Sequence, residues 1–450
     1  MGSIHEPVCN EVNGASEAAP PLLYQAQTRL KVIVVGAGLG GLSLAYFLGR
    51  SGHTVEVLEA TPVIKEVGAG INCTPNLTRL FARWGIEPYI KQDTMPLCRL
   101  ELRRWENGEF LGAATWMPEV EKRHGSPQYA AHRADILKGI TEGIHRLPNV
   151  TVKVNSRVMN IDTEGPSVTL SDGSTLKADV VVGADGVKST CRKVLYQKLG
   201  LTDRARPTGD AAFRVMIPLQ RIQDQKLIEF VKTPVATRWI GPGRHVQGFP
   251  IRDHSLYNMV LCHPDTVGSI ESWDATASKQ EIMDHFGAWD PERLRKLLDL
   301  VPDENILKWQ LCDHENLPTW TMGKLALLGD ACHPMLPYVA QGAAQAVEDA
   351  GVLCLALNNV GSKHSIPTML KAYELSRKGR AEGIADNAAT TRTVLHYEDG
   401  PEQQDRDNRF RAIARGGENP DLLGDQNHQA LLWGHDPEKD FMDHLEGKVR

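Results

Sequence analysis

Three glycines and one glutamate have the types and spacing needed to hold a dinucleotide. Gly36, Gly38 and Gly41 form a GxGxxG pattern, in which the first glycine makes a tight turn, the second admits a pyrophosphate and the third allows close helix packing. Glu59 follows about 20 residues later, where a carboxylate can accept hydrogen bonds from the ribose hydroxyls of an adenosine without a 2′-phosphate. The pattern predicts a bound dinucleotide and disfavours NADP at this site, but it leaves FAD and NAD as alternatives.

A strand, a helix and a second strand are expected to position these residues. Residues 30–35 form an apolar run rich in β-branched side chains, which is typical of a strand buried on both faces of a parallel sheet. Residues 41–50 read as a helix and residues 54–58 as the next strand, which completes a βαβ unit. Buried-strand patterns return at 179–183 and 324–330, so the first domain is expected to be discontinuous.

Composition and charge narrow the class of protein. The 450 residues are 41% hydrophobic and 24% charged, as in ordinary soluble globular chains, and the net charge of -6 provides no broad basic field for nucleic acid. No run of about 18 apolar residues predicts a membrane span, and no secretory signal precedes the first strand. The eight cysteines form no CxxC pair and the 16 histidines no HExxH array, so we predict no metal site. We expect a cytoplasmic protein.

Two further segments carry a resemblance to a known family. They are residues 183–189, Gly-Ala-Asp-Gly-Val-Lys-Ser, and residues 329–350, which begin Gly-Asp-Ala-Cys-His-Pro. Together with the N-terminal glycine motif, and in the same order, they resemble the single-component FAD-dependent aromatic monooxygenases, closest to the salicylate hydroxylase-like branch. The resemblance implies an α/β fold like that of para-hydroxybenzoate hydroxylase, with a Rossmann-type FAD-binding domain and an inserted antiparallel β-sheet substrate domain.

The expected domain division combines this resemblance with the chain's patterning. Short alternating apolar and polar runs between about 205 and 320 predict an antiparallel sheet. The expected segments are a flexible N-terminal tail (1–29), the first part of the FAD-binding domain (30–204), the substrate-binding β-sheet domain (205–321), the second part of the FAD-binding domain with its helix (322–398), and a polar C-terminal extension (399–450).

The resemblance also assigns residues to the cofactor. Asp330 would hold the ribityl and pyrophosphate region, with an N-cap or loop-stabilising aspartate as the less favoured alternative. Asp185 would serve both FAD and nicotinamide, although Ala-Asp-Gly is also a common turn. Gly70 would lie along the flavin, although an ordinary close-packed loop is the alternative. The full set is Gly36, Gly38, Gly41, Glu59, Gly70, Arg133, Asp185, Asp330, Gly342 and Ala343.

Four residues are candidates for the substrate pocket. His245 is the first candidate for a base that turns a phenol into a phenolate, since an ordinary histidine pKa near 6.5 suits that task. The family tyrosine four residues later is replaced by Phe249, which implies a more apolar pocket or another polar anchor. Arg214 would pair with a phenolate or carboxylate, with a cross-strand surface cation as the equal alternative. Tyr338 would line the pocket beside the flavin.

The function implied by the resemblance is hydroxylation of a phenolic or hydroxybenzoate-like ring. Bound FAD would be reduced by NADH or NADPH and would react with O2 to a flavin C4a-hydroperoxide, with oxidative decarboxylation as an option for salicylate-type substrates. One alternative is the same chemistry on a polyketide or indole ring of secondary metabolism. Another is a flavin-binding sensor without catalysis. The expected partners are the small aromatic substrate and O2, without nucleic acid, and the chain is expected to be a monomer or homodimer.

Overall fold

The helices and strands are those of a computed structural model that describes residues 24–64, 69–203, 205–265, 276–303 and 306–447. Residues 1–23 of the predicted N-terminal tail lie outside this described part. The strands are β1 (Lys31–Val35), β2 (Thr54–Leu58), β3 (Gly70–Cys73), β4 (Thr94–Pro96), β5 (Arg99–Arg104), β6 (Phe110–Thr115), β7 (Tyr129–His132), β8 (Val150–Lys153), β9 (Val158–Asp162), β10 (Ser167–Leu170), β11 (Thr175–Lys177), β12 (Val180–Gly183), β13 (Ala205–Pro218), β14 (Val235–Gly241), β15 (Arg244–Ile251), β16 (Leu256–Pro264), β17 (Thr276–Ala277), β18 (Ile306–His314), β19 (Thr321–Met322) and β20 (Leu325–Leu327). The helices are α1 (Leu39–Arg50), α2 (Pro75–Trp84), α3 (Glu87–Ile90), α4 (Glu119–His124), α5 (Arg133–Ile144), α6 (Thr190–Lys198), α7 (Gln225–Lys232), α8 (Lys279–Phe286), α9 (Leu294–Asp299), α10 (Gly342–Asn358), α11 (Ile366–Leu395), α12 (Pro401–Ala412), α13 (Gln426–Trp433) and α14 (Pro437–Leu445).

A six-stranded sheet forms the core of the nucleotide-binding part. Its order is β19-β20-β12-β1-β2-β8, and every neighbouring pair is parallel except β19 with β20. Val32, Ile33 and Val34 of the central strand β1 are fully buried, because α1 packs between this sheet and the helices α5 and α10. The predicted Rossmann-type sheet, discontinuous in sequence, is confirmed.

An eight-stranded sheet forms the second layer. Its order is β17-β18-β13-β16-β15-β14-β5-β6, with antiparallel pairing except between β14 and β5. One face packs on α7, α8 and α9, and the other faces the nucleotide-binding part and the C-terminal helices. The hairpin β5–β6 comes from within 30–204, so this sheet draws on more of the chain than the predicted segment 205–321.

The C-terminal region, predicted as a polar extension, folds into α12, α13 and α14. Phe410 and Trp433 are fully buried and anchor these helices to the body, each contributing about 1.5–3 kcal/mol of hydrophobic stabilisation. Leu431, in contrast, is 59% exposed. Among the described helices, none combines the length and the apolar character needed to cross a membrane.

Candidate active site

The glycine-rich turn between β1 and α1 has the shape that a pyrophosphate requires. Gly36 has φ of +104°, and a Cβ there would lie 2.4 Å from the Ala184 carbonyl oxygen. A Cβ on Gly41 would lie 2.2 Å from the Gly36 carbonyl oxygen, whereas a Cβ on Gly38 would meet nothing within 4 Å. The first and third glycines therefore close the turn. The second faces open space at the start of α1, where backbone N–H groups attract an anion.

Glu59 is fixed beside this turn at the end of β2. Its carboxylate accepts hydrogen bonds from the Ala37 N–H at 2.9 Å and from the Thr61 N–H and hydroxyl, both at 2.8 Å. A carboxylate has about four lone-pair sites, so it retains acceptor capacity for a ribose hydroxyl. The geometry is compatible with the predicted role, which stays a prediction.

Asp185 caps a helix. Its carboxylate accepts from the Ser189 hydroxyl at 2.5 Å, from the Thr190 N–H at 2.7 Å and from the Cys191 N–H at 3.1 Å, at the start of α6. These contacts explain the Ala-Asp-Gly segment as a turn that begins a helix. The role of Asp185 with FAD and nicotinamide stays a prediction.

Arg133 and Asp330 carry opposite charges, and each acts on the pKa of the other. Both are predicted to lie near the flavin chain. Arg133 begins α5, and Asp330 lies in a 3-10 turn directly after β20. Burial lowers the pKa of Arg133, while the charge of Asp330 acts to raise it. Asp330 is exposed, yet desolvation by the surrounding protein raises the pKa of its carboxyl. Opposite charges at this cleft fit a ligand with both hydroxyl and phosphate groups.

A buried ionic cluster holds the Asp330 turn in place. Asp349 of α10 accepts from the Gly329 N–H at 3.0 Å and lies 2.5 Å from Nε2 of His333. Its other oxygen accepts from Nε of Arg377 at 2.8 Å. Burial lowers the pKa of His333, but the charge and hydrogen bond of Asp349 outweigh it, so that pKa is raised overall. His333 thus shapes the loop, as an ion-pair partner of Asp349.

The same cluster contains the one grouping of metal-ligand side chains among the described residues. Ligand atoms of Cys332, His333 and Asp349 lie within 4.8 Å of one another. The Asp349 carboxylate, however, already bonds His333 and the Arg377 guanidinium, and that cation would repel a divalent metal. The grouping is therefore explained by the ionic cluster.

The N-terminus of α10 completes the region that would hold FAD. The helix begins at Gly342 with Ala343 next, and no side chain caps its first N–H groups. The nearest atom to a Cβ on Gly342 would be Met335 Cγ, at 3.7 Å, so the backbone is open to close approach there. An uncapped helix start favours negative charge on a neighbouring ring. Together with the open space at Gly38, this arrangement fits FAD.

Strand register places three predicted substrate residues on one face of the eight-stranded sheet. His245 and Phe249 are four residues apart on β15, so both point to the same face. Arg214 of β13 pairs with Val260, which in turn pairs with Gln247, the residue midway between them on β15. Residues directly opposite across a ladder share a face. The structure therefore brings the predicted cation, the predicted base and Phe249 together.

Arg214 is a cation that forms no ion pair with the described residues. Its guanidinium carbon lies 4.1 Å from the centroid of the Trp309 ring, and in this part of the chain its buried Nε has no hydrogen-bond partner. The pKa of Arg214 is lowered to about 10, mainly by burial; Cys262 acts to raise it and the charge of Arg133 acts to lower it. This environment is unlike that of a cross-strand surface cation, and it favours an anionic ligand.

His245 differs from the expected isolated base. It is 3% exposed, and its Nδ1 lies 2.8 Å from Nε2 of His396. Burial, then His396 and Arg238, lower the pKa of His245 well below its usual range. The expectation of an ordinary pKa near 6.5 is therefore wrong, because desolvation keeps the ring neutral at pH 7. Its role as a base stays a prediction.

Phe249 joins the two layers of the molecule. A Cβ on Gly70 of β3 would lie 2.7 Å from the Phe249 ring, and the Gly70 N–H donates to Oδ1 of Asn258 at 2.7 Å. Nδ2 of Asn258 is buried without a partner in the described part of the chain. Strand β3, which is predicted to lie along the flavin, therefore meets the eight-stranded sheet at an apolar contact. The amide Nδ2 of Asn258 at this contact is the donor that remains available.

Sequence reasoning missed a polar network behind the pocket. Tyr338, which packs 5.3 Å from His245 between ring centroids, donates from its hydroxyl to Asp210 at 2.6 Å. The same buried carboxylate accepts from Nη2 of Arg392 at 2.6 Å. Arg392 and His396 lie one turn apart at the end of α11, far in sequence from the residues they touch. No sequence motif identifies Arg392 and His396. The one indication in the sequence is that two polar residues, one turn apart, end a long helix.

Comparison with known proteins extends the resemblance over nearly the whole chain. Residues 29–388 match the family described as FAD binding domain. The chain is 35% identical over 408 residues to FAD-dependent monooxygenase ntnJ of a Nectria species, covering 90% of this chain and 94% of that protein. It is 32% identical over 373 residues to a 3-hydroxybenzoate 6-hydroxylase of Polaromonas naphthalenivorans, covering 82% of this chain and 88% of that protein.

The fold comparison agrees. A solved structure described as a salicylate hydroxylase substrate complex superposes with a TM-score of 0.75 at 25% identity. The match covers 93% of this chain and 98% of that chain.

Proposed function

The chain belongs to the FAD-dependent aromatic monooxygenase family, and from that premise we propose that it hydroxylates a phenolic ring bearing a negative charge, such as a hydroxybenzoate. It is an FAD enzyme with NADH or NADPH as co-substrate. The single observation that carries the substrate class is Arg214, a cation on the His245 face of the eight-stranded sheet, whose Nε is buried without a hydrogen-bond partner among the described residues.

Arg214 would recognise the anion. A buried polar group without a partner costs about 1–3 kcal/mol, and a hydrogen bond to a charged group contributes about 1.5–3 kcal/mol. The Trp309 ring, 4.1 Å from the guanidinium carbon, limits how the guanidinium can turn. A carboxylate or phenolate oxygen placed beside it removes the penalty, so the pocket should prefer an anion over a neutral ring of the same shape.

His245 would accept the phenol proton. A phenolate is more electron-rich than a phenol and is therefore the better nucleophile toward an activated oxygen. Burial lowers the pKa of His245, which leaves the imidazole uncharged with a lone pair for a proton and also makes it a weaker base than a free histidine. The neighbouring Arg214 would stabilise the phenolate that remains.

FAD, when bound, supplies hydride acceptance from NADH or NADPH and the activation of O2. We infer that Gly36, Gly38 and Gly41 receive its pyrophosphate and that Glu59 receives its adenosine ribose. Arg133 and Asp330 would hold the middle of the molecule. The ring would lie among the small residues at the start of α10 and beside Gly70, where the protein's part is to orient the ring and exclude water.

A larger ring is the second candidate substrate. Phe249 provides an aromatic wall without a hydroxyl at the contact between Gly70 and the substrate sheet. Such a wall favours an extended apolar ring, such as a polyketide or indole, over a small polyhydroxylated one. Within the leading proposal, attack at a carboxylated carbon with loss of CO2 is a further outcome to measure.

The test is substrate-dependent oxidation of NADH and of NADPH by the purified FAD-loaded protein. A panel of hydroxybenzoates, neutral phenols, indoles and polycyclic phenols is compared, with O2 consumption, H2O2, CO2 and oxygenated product measured together. Stimulation by hydroxybenzoates with oxygenated product supports the proposal, and CO2 release identifies decarboxylation. Stimulation by neutral large rings alone supports the second candidate. Bound flavin without stimulation by any compound overturns both and favours the sensor.

A further inference from the structure

A row of four residues crosses the face of the eight-stranded sheet on which the candidate pocket lies. Across the paired strands the row runs Arg214 of β13, Val260 of β16, Gln247 of β15 and Arg238 of β14. Residues directly opposite across a ladder share a face. Three strand spacings separate the two arginines, so their Cα atoms are about 14 Å apart. This face therefore carries one arginine at each end of the row.

Each guanidinium nitrogen of Arg238 has a partner in the protein. Arg238 is 3% exposed, and its Nε donates to Oε1 of Gln247 at 2.7 Å. Its Nη2 donates to the carbonyl oxygen of Tyr338 at 3.4 Å, and its Nη1 donates to Oδ2 of Asp421 at 2.6 Å. The Asp421 side chain is fully buried, and its Oδ1 accepts from the Leu423 N–H at 3.0 Å. A carboxylate from the segment between α12 and α13 therefore balances the charge of Arg238.

The same end of the chain balances a charge of the opposite sign on this face. Asp210 lies four residues before Arg214 on β13, so both side chains point to one face of the sheet. The Asp210 carboxylate pairs with Arg392 at the end of α11. Residues that follow the sheet in sequence thus supply a partner for one anion and one cation of this face. Arg214 receives none among the described residues.

We propose that Asp421 is a specificity-determining residue that limits the pocket to substrates with one anionic group. The inference rests on the proposed function, in which Arg214 receives that group. A second carboxylate at the other end of the row would meet an arginine that is already paired, and it would be repelled by the charge of Asp421. The substrate anion is thereby directed to the Arg214 end of the row.

The experiment compares two ligands of the same shape and different charge. 2-Hydroxyterephthalate carries a phenol and two carboxylates on opposite sides of the ring, whereas its amide, 4-carbamoyl-2-hydroxybenzoate, carries one carboxylate. The Kd of each is measured by titration calorimetry with FAD-loaded protein, without NADH or NADPH, so that no turnover occurs. In the wild-type protein we expect the amide to bind at least about tenfold more tightly than the diacid, because the second carboxylate finds no free cation.

Asp421→Asn removes the charge and keeps an oxygen that can accept from Arg238 and from the Leu423 N–H. The freed charge of Arg238 should then attract the second carboxylate, so the ratio of the diacid Kd to the amide Kd should fall at least about tenfold. Asp436→Asn is the matched control, because Asp436 also pairs with an arginine, Arg83 at 2.5 Å, and also accepts a backbone N–H. Its ratio should equal that of the wild-type protein.

Two further variants keep the test decisive if Asp421→Asn does not fold. Arg238→Gln leaves the charge of Asp421 unbalanced near the pocket, so the Kd of the amide should rise at least about fivefold. Arg238→Gln combined with Asp421→Asn removes both charges, a replacement that buried ion pairs often tolerate. The double variant should bind the amide as tightly as the wild-type protein. An equal Kd of the amide in Arg238→Gln and in the double variant would contradict the proposal.

The outcomes separate this inference from the proposed function. If the wild-type protein binds neither ligand, the proposed preference for an anionic phenol fails. If it binds the amide, but Asp421→Asn leaves the Kd ratio unchanged, the specificity role of Asp421 alone is overturned. Equal or tighter binding of the diacid by the wild-type protein overturns that role as well.

Discussion

The surroundings of two arginines, Arg377 and Arg214, shift their pKa values in opposite directions. Arg377 of α11 donates to Glu348 at 2.6 Å, to Asp349 at 2.8 Å and to Gln345 at 2.6 Å. Burial acts to lower the pKa of Arg377, but the two carboxylates raise it above its usual value. Arg214 lies over the Trp309 ring, its buried Nε has no partner in the part of the chain that the structure describes, and its pKa is lowered to about 10.

The difference in partners between Arg377 and Arg214 indicates that the first contributes to stability and the second to ligand binding. A buried charge is tolerated when partners satisfy it, and it is costly when they do not. Every nitrogen of the Arg377 guanidinium has a partner within the described protein, so the task of its cluster is to tie α10 and α11 to the turn that carries Asp330. The cation at Arg214 is incomplete within the described protein, and a ligand would complete it.

The largest expected effect comes from breaking the complete cluster. Arg377→Met leaves Glu348 and Asp349 short of a counter-charge in a buried site, so we expect a loss of about 3–5 kcal/mol in the free energy of unfolding, measured by urea denaturation. Arg214→Met is the matched control, and it should change that free energy by less than about 1 kcal/mol. Equal losses in the two variants would contradict the comparison.

For substrate binding, in contrast to stability, we expect substitution of Arg214 to have the large effect. Arg214→Gln should raise KM for a hydroxybenzoate about 10- to 100-fold, because it removes a charged hydrogen bond, and should leave KM for the neutral hydroxybenzamide nearly unchanged. Lys308→Gln is the control, since Lys308 belongs to the same sheet but contacts Phe213 on the opposite face and pairs with Glu281. Equal increases for both compounds would assign Arg214 to packing.

The same comparison between a ligand-binding and an internally paired charge can be made at the predicted FAD site, with Glu59 and Glu56. Glu59→Ala removes the proposed acceptor for the ribose, so we expect FAD retention after dialysis to weaken by about tenfold, read from flavin absorbance. Glu56→Ala, on the same strand but paired with Lys31 and Lys153, should retain FAD. Flavin occupancy unchanged in Glu59→Ala would remove the ribose assignment.

How far the sequence predicts each region follows from the range of its contacts. The β1–α1–β2 unit was predictable because glycine spacing and strand pattern act within about 30 residues. The sequence does not reveal that the hairpin β5–β6 joins the eight-stranded sheet, because its partner strand β14 lies more than 130 residues away. The contact of Arg392 with Asp210 spans 182 residues, and only the folded sheet brings the two together. The lowered pKa of His245 is not predictable for the same reason, since besides burial one of its causes is His396, which is 151 residues away in sequence.

The smallest expected effect is a pH dependence, and it tests whether the charge of His333 contributes to the cluster around Arg377. The pKa of His333 is raised in the folded protein, mainly by Asp349 against the cost of burial. A raised pKa contributes stability that is full below the ordinary histidine pKa near 6.5 and is lost as the pH rises through the folded value. His333→Gln keeps a donor for Asp349 but loses the charge. Its deficit in the free energy of unfolding should therefore shrink as the pH rises from 6 to 9, whereas any deficit of the exposed control His364→Gln should stay constant. A His333→Gln deficit that does not change with pH would mean that the ring acts by shape and hydrogen bonding, and that the cluster is complete without its charge.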